Sequence, residues 1–216
     1  MKLYVYDHCP FCVRAAMVAG YKDVDLQIVP LLNDDEASCH QLIGKKMVPI
    51  LAWDDQAMGE SLDIAKKLDE IGSGVKLMRA PTDYQSITAV ISSVQRSISC
   101  LLFPRNIQAG LPEFATLSAR DYFQRNKEPM IEQSFATAMA DTALHKQRVE
   151  TMLASLPHLS LPSENGDTLG WDDVMIYPTL RNLTLVQDLQ IPQQVRDYLQ
   201  EIAALTRTEL YYAIAI

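Results

Sequence analysis

The residues of this chain best suited to chemistry are two cysteines separated by two residues, in Cys9-Pro10-Phe11-Cys12. They follow a short apolar run, Leu3-Tyr4-Val5-Tyr6, and precede a helical pattern. A thiol at a helix start faces unpaired backbone N–H groups at the positive end of the helix dipole, and both favour thiolate over thiol. Pro10 suits the first helical position, where its missing N–H costs nothing and its φ is already helical. The spacing therefore predicts Cys9 as an exposed nucleophile at the cap, with Cys12 about one turn inside and able to form a disulfide with it. Spacing alone leaves inert cysteines and half of a zinc site open. Zinc wants two further ligands at matched spacing. Cys39 and His40 are adjacent, which makes them an awkward pair, and Cys100 stands alone in a helical stretch. Thiol–disulfide chemistry is the favoured reading, with no metal.

Two further motifs follow in order. In Val48-Pro49, a proline between apolar residues at a strand start needs a reason, because it cannot donate to a ladder. A cis bond there exposes the N–H and C=O of Val48 as an edge that an extended cysteinyl peptide can pair with. A trans proline that merely starts a strand is the competing reading; with the cysteine pair upstream, cis is favoured. In Glu60-Ser61, a serine at a helix start can hold a carboxylate and a glutamate beside it can accept from an ammonium. Together they suit an α-amino acid head group, such as the γ-glutamyl end of glutathione, although the pair would also serve as an ordinary helix cap.

The elements that must position these residues are readable. Residues 2–6 predict a strand, Pro10 to Ala19 a helix capped by Gly20, and Leu26 to Leu32 a second, parallel strand. Asn33-Asp34-Asp35-Glu36 opens a short helix that ends at Gly44. A β-hairpin turns at Asp54-Asp55, and a helix follows from residue 62 to 71. Residues 1–72 thus read βαβαββα. Residues 72–83 read as a linker. Thereafter the pattern is helical only. One long helix runs from Tyr84 until Pro104 ends or kinks it. Further helices cover 113–126 and 128–156, a loop covers 157–170, a helix opens at Trp171, and a last one begins near Gln193. The final residues, Tyr211 to Ile216, are apolar and should pack on the body.

The totals set bounds. The chain has 216 residues, 48% hydrophobic and 21% charged, enough for a sizeable core. A net charge of −8 without a basic block argues against nucleic acid and anionic membranes as partners. The N-terminus has no charged and apolar export pattern, and no apolar run approaches a membrane span. Four cysteines are not a disulfide framework, so the expected setting is the reducing cytoplasm, with any disulfide transient and catalytic.

Residues 1–72 resemble the thioredoxin-like domain of glutaredoxins, through Cys9-Pro10-Phe11-Cys12, Val48-Pro49 and Glu60-Ser61. The all-helical remainder, 84–216, resembles the C-terminal domain of glutathione transferases. With Leu32-Asn33-Asp34-Asp35 and Arg181-Asn182-Leu183-Thr184-Leu185-Val186, the combination is similar to the two-domain glutaredoxins of bacteria. The resemblance implies glutathione-dependent reduction of protein disulfides and glutathione mixed disulfides, with Cys9 as nucleophile and Cys12 as resolving thiol. It implies a glutathione site at Pro10, Phe11, Val48, Pro49, Glu60 and Ser61, glutathione as co-substrate rather than a resident cofactor, and glutathionylated or disulfide-bonded proteins as partners. A monomer is expected. Two positions depart from the family: Phe11 replaces the usual tyrosine, and Gly170 stands where a Ser or Thr often caps the helix before Asp173. A glutathione transferase and a non-catalytic glutathione- or partner-binding scaffold are the competing readings. A second motif thiol serves dithiol exchange and has no use in either. An iron–sulfur carrier is disfavoured by Pro10. His8, Lys45 and Lys46 read as loop residues with conceivable roles in tuning Cys9 or holding a carboxylate. Cys39, Cys100, Asp173 and Arg181 read as structural.

Overall fold

The computed structural model describes residues 1–76 and 78–216; Leu77, inside the stretch read as a linker, lies outside the described residues. β1 (Lys2–Val5) leads into α1 (Pro10–Tyr21), and β2 (Gln27–Pro30) returns parallel to β1. α2 (Glu36–Ile43) follows, then the hairpin β3 (Ile50–Trp53) and β4 (Gln56–Met58), then α3 (Ser61–Ile71). The sheet order is β2-β1-β3-β4, with β3 antiparallel to β1 and β4 antiparallel to β3. This is the expected βαβαββα thioredoxin-like unit. Its sheet is covered on both faces. Leu3, Val5 and Leu51 belong to the main core with α1 and α3, whereas Tyr4, Tyr6 and Ile50 meet Cys39 of α2 in a smaller cluster. That split follows the two-residue period of a strand.

The rest is helical: α4 (Tyr84–Ser92), α5 (Gln95–Asn106), α6 (Leu117–Ile131), α7 (Phe135–Ala140), α8 (Thr142–Ser155), α9 (Trp171–Leu183) and α10 (Gln193–Thr206). The helix that carries the dithiol joins the halves. α1 packs on α3 within its own half and on α9 and α10 of the other. Its alanines let three helices approach at once. Gly20 does not cap α1, as its position suggested, but lies in the last turn. A Cβ there would stand 1.9 Å from the Thr206 carbonyl oxygen at the end of α10. The missing side chain serves close packing, not termination.

Three other expectations are corrected. The long helix from Tyr84 is two helices bent by 70°. The break falls at Ser93, whose hydroxyl donates to the Val90 carbonyl (2.6 Å) and whose N–H is shared between the Ala89 and Val90 carbonyls. Serine competes with the helical ladder in this way, and the apolar periodicity runs through the break undisturbed. Pro104 does not end α5, which continues to Asn106. Between 113 and 156 there are three helices, not two, because the side chains of Thr116 and Ser134 cap fresh starts at α6 and α7, and Pro129 is held inside α6.

The stretch read as a linker is fastened to the helical half. The Arg79 N–H donates to the Leu169 carbonyl (2.9 Å), and the Arg79 carbonyl accepts from the Trp171 N–H (3.1 Å). The Thr82 N–H donates to the Asp172 carboxylate (2.9 Å). At the start of α9, the buried Asp173 carboxylate accepts from the Gly170 N–H (2.7 Å), from Arg79 (3.0 Å) and from the Tyr198 hydroxyl (3.0 Å). A Cβ on Gly170 would stand 3.2 Å from the Arg79 guanidinium, so glycine at this cap leaves room for the arginine. The terminal residues pack as expected: Tyr211 is buried, and the Ile216 N–H donates to the Leu185 carbonyl (3.0 Å). No single helix among the described residues is long and apolar enough to cross a membrane.

Candidate active site

Cys9 is the N-cap residue of α1, with Pro10 in the first turn. It is partly buried rather than exposed, and Cys12 is fully enclosed behind it. The Tyr6 N–H donates to Cys12 Sγ at 3.4 Å. A hydrogen bond from the Cys12 thiol is the largest influence on Cys9. Burial opposes it, while the charge of His8 and the N–H groups of Cys12 and Phe11 reinforce it, and the Cys9 thiol is lowered to about 6. Burial, and then the neighbouring Cys9, push Cys12 well up. The two sulfurs are thus divided: a thiolate at the helix start, and a protonated thiol one turn in that donates to it.

Cys9, Pro10, Phe11 and Val48 line a cleft of about 720 Å³ between the two halves. Gln95 and Phe103 of α5, and Tyr122, Phe123 and Lys127 of α6, form the opposite wall. The Val48–Pro49 peptide is cis. No Asp or Glu is among the described residues of the wall, whereas His8, Arg14, Lys46 and Lys127 all are. In a chain of net charge −8, this cleft favours an anionic occupant. The Arg14 guanidinium lies over the Phe11 ring (4.9 Å), and Lys127 over Phe103 (5.4 Å). The ring of Phe11 therefore retains a packing role without the tyrosine hydroxyl.

Pro49, Glu60 and Ser61 stand outside the cleft wall. Glu60 is the N-cap residue of α3, with φ 66°, and its side chain pairs with Lys45 at 3.1 Å on the surface. Ser61 is buried. No side chain caps α3, so its first-turn N–H groups stay available to a carboxylate. Lys45 is taken up by Glu60. Lys46 donates to the Asn33 carbonyl and stands over the Tyr122 ring (4.2 Å).

Sequence reasoning missed the residues that hold the loop before Cys9. His8 is no free loop histidine: its Nδ1 lies 2.5 Å from Glu113 Oε1, and its N–H donates to the same oxygen at 3.0 Å. Glu113 is fully buried in a single 3-10 turn, Pro112–Phe114. Burial pushes its carboxyl up, but the His8 contacts outweigh this and leave it below the usual range. Arg181 of α9 donates to the Asp7 carbonyl (3.1 Å) and carboxylate (2.9 Å), and Asn182 donates to the His8 carbonyl (2.7 Å). The Arg181-Asn182 stretch was visible only through its resemblance. Adjacency to Cys9 was the one signal for His8, and Glu113 offered none.

A thioredoxin-like sheet, a cysteine pair at the start of its first helix and a wholly helical second half define a protein of glutathione-transferase architecture that bears a dithiol. Residues 86–215 match the family described as the C-terminal domain of glutaredoxin 2, and residues 3–76 match the glutathione S-transferase N-terminal domain. Glutaredoxin 2 of Escherichia coli strain K12 is 36% identical over 220 residues, covering all of both chains. The solved structure of glutaredoxin 2 from Salmonella typhimurium in complex with glutathione is 37% identical, with a TM-score of 0.89, covering 100% of this chain and 98% of that one. A maleylacetoacetate isomerase of Methylobacterium extorquens AM1, 19% identical with a TM-score of 0.50, covers 98% of this chain and 97% of that one and shares the fold. The chain belongs to the glutaredoxin 2 family.

Proposed function

We propose that the protein is a glutathione-dependent thiol–disulfide oxidoreductase that reduces glutathione mixed disulfides and protein disulfides. The observation that carries this reading is the division of the two sulfurs, with the Cys9 thiol lowered to about 6 and Cys12 kept protonated beside it. The Cys9 thiolate attacks the glutathione sulfur of a mixed disulfide. The old S–S bond breaks and the protein thiolate leaves and takes a proton. A second glutathione thiolate then attacks the Cys9–glutathione disulfide, releasing oxidised glutathione and restoring Cys9. With a protein disulfide, Cys9 forms the mixed intermediate and Cys12 resolves it. The Cys9–Cys12 disulfide is then reduced by two glutathiones.

In this reading Val48 pairs its backbone with the glutathione cysteinyl residue, and Pro49 shapes that edge. Pro10 and Phe11 flank the sulfur. Glu60 takes the γ-glutamyl ammonium, and Ser61, with the free N–H groups of α3, takes the carboxylate. The acid-free cleft supports an anionic tripeptide, and the Salmonella relative solved with glutathione supports the choice of ligand. The protein acts as a cytoplasmic monomer. Two substitutions test the assignment on a glutathionylated substrate. Cys9→Ser should abolish activity, while Cys12→Ser should retain deglutathionylation and lose protein-disulfide reduction. Full activity in Cys9→Ser would sink the assignment.

A further inference from the structure

We propose that Glu113, supplied by the helical half, is a positioning residue for the thiol chemistry: its carboxylate holds the proton on His8 Nδ1 and keeps that ring as a cation beside Cys9. The inference rests on the reading of Cys9 as the nucleophile.

The geometry carries the argument. His8 directly precedes Cys9, and its ring packs against three aromatic side chains. Tyr6 stacks parallel to it at 6.0 Å, Phe114 packs at 5.1 Å and Phe123 meets it edge-on at 5.2 Å. Three of the groups that hold His8 (Glu113, Phe114 and Phe123) come from one short stretch of the helical half, and a fourth, Asn182, fixes its carbonyl. The Glu113 oxygen that takes both His8 donors is well used, but its other oxygen, Oε2, is buried with no hydrogen-bond partner among the described residues. Burying a carboxylate with one oxygen unpaired is costly. A glutamine of the same shape would accept the same two hydrogen bonds at less cost, so stability does not explain a charge here. An anion at this point stabilises an imidazolium, and an imidazolium stabilises a neighbouring thiolate. Other ionisable groups surround the site, and the Glu113 charge bears directly on one of them, helping to push the Cys12 thiol up. Arg14 of α1 and Lys127 of α6 share the cleft with Cys9, Cys12 donates to it, and Asp7 is neutralised by Arg181. The consequence is that the thioredoxin-like half does not set its nucleophile alone.

The test is the pH dependence of Cys9 alkylation by iodoacetamide in the reduced, full-length protein, read by mass spectrometry of the Cys9 peptide. Glu113→Gln should raise the midpoint by about one pH unit, which slows alkylation about fivefold near the wild-type midpoint and leaves the alkaline plateau unchanged. His8→Asn should do the same, and the double variant should lie no higher than His8→Asn. A merely structural role would lower the plateau and leave the midpoint alone. An unmoved midpoint in Glu113→Gln overturns the proposal, as does a further rise when Glu113→Gln is added to His8→Asn. Should Glu113→Gln not fold, the His8 ring of the wild-type protein is followed by NMR through the Cys9 limb: a ring that stays protonated across it supports the proposal, and a neutral ring there, or an unmoved midpoint in His8→Asn, overturns it. Failure of the underlying assignment looks different, as activity that survives Cys9→Ser whatever the midpoint.

Discussion

Replacing Arg181 with methionine should unfasten the active-site loop from the helical half, and its cost can be worked out from the contacts. The guanidinium donates to the Glu209 carbonyl (2.7 Å), the Tyr211 hydroxyl (2.8 Å), the Asp7 carbonyl (3.1 Å) and the Asp7 carboxylate (2.9 Å). The arginine side chain is 5% exposed and that of Asp7 39%. The ion pair itself is therefore solvent-screened and contributes well under 1 kcal/mol. The weight lies in the carbonyls and the Tyr211 hydroxyl left without a donor, at about 1 kcal/mol or more each. Methionine recovers part of the desolvation of the arginine. The sum is roughly 3 kcal/mol, a large share of a typical 5–15 kcal/mol stability. In urea, with an m-value of roughly 2–3 kcal/mol/M, the unfolding midpoint should fall by about 1–1.5 M with m unchanged. Asp7→Asn, which removes only the screened charge, should move it by less than about 0.3 M. The reasoning fails if Arg181→Met unfolds at the wild-type midpoint, or if Asp7→Asn costs as much as Arg181→Met.

Alkylation of Cys9 should follow a single limb with its midpoint at about 6. Because the thiol is lowered, reactivity is complete above that pH and is lost as pH falls through it. Cys12→Ala removes the largest stabilising hydrogen bond and should move the limb upward; a limb that stays put shows that Cys12 does not donate to Cys9. Gly20→Ala forces a methyl to within 1.9 Å of the Thr206 carbonyl and should cost about 3 kcal/mol in thermal unfolding, so an unchanged Tm would contradict the packing of α1 on α10. Glu60→Gln should raise the KM for glutathione about tenfold with kcat unchanged, and a fall in kcat alone would remove Glu60 from ground-state binding.

Much of this was legible in local sequence. The cysteine spacing, the proline at the first helical position and the acid-capped second helix are short-range signals, and the structure places Cys9 and Asp35 at the caps of α1 and α2. Gly20 and Gly44 show where such signals stop. Both follow helical runs, yet Gly44 has φ 72° and caps α2, while Gly20 makes way for α10, some 180 residues away. A one-dimensional pattern cannot separate a conformational glycine from a packing glycine. The bend at Ser93 was hidden because the three-and-four spacing of apolar residues keeps its phase across it. Glu113 was out of reach altogether: a single glutamate after Pro112 acquires meaning only when the fold carries it 105 residues back to His8. The same holds for Arg181 and Asn182, which resemblance could mark but spacing could not explain.

The central claim is that glutathione exchanges through Cys9. The most direct measurement is to treat the full-length Cys12→Ser protein with oxidised glutathione under native conditions and map the adduct by mass spectrometry of its peptides. The account predicts one glutathionyl group per chain, on Cys9, released by added glutathione. An adduct on Cys39 or Cys100 with Cys9 unmodified, or no adduct at all, would contradict it.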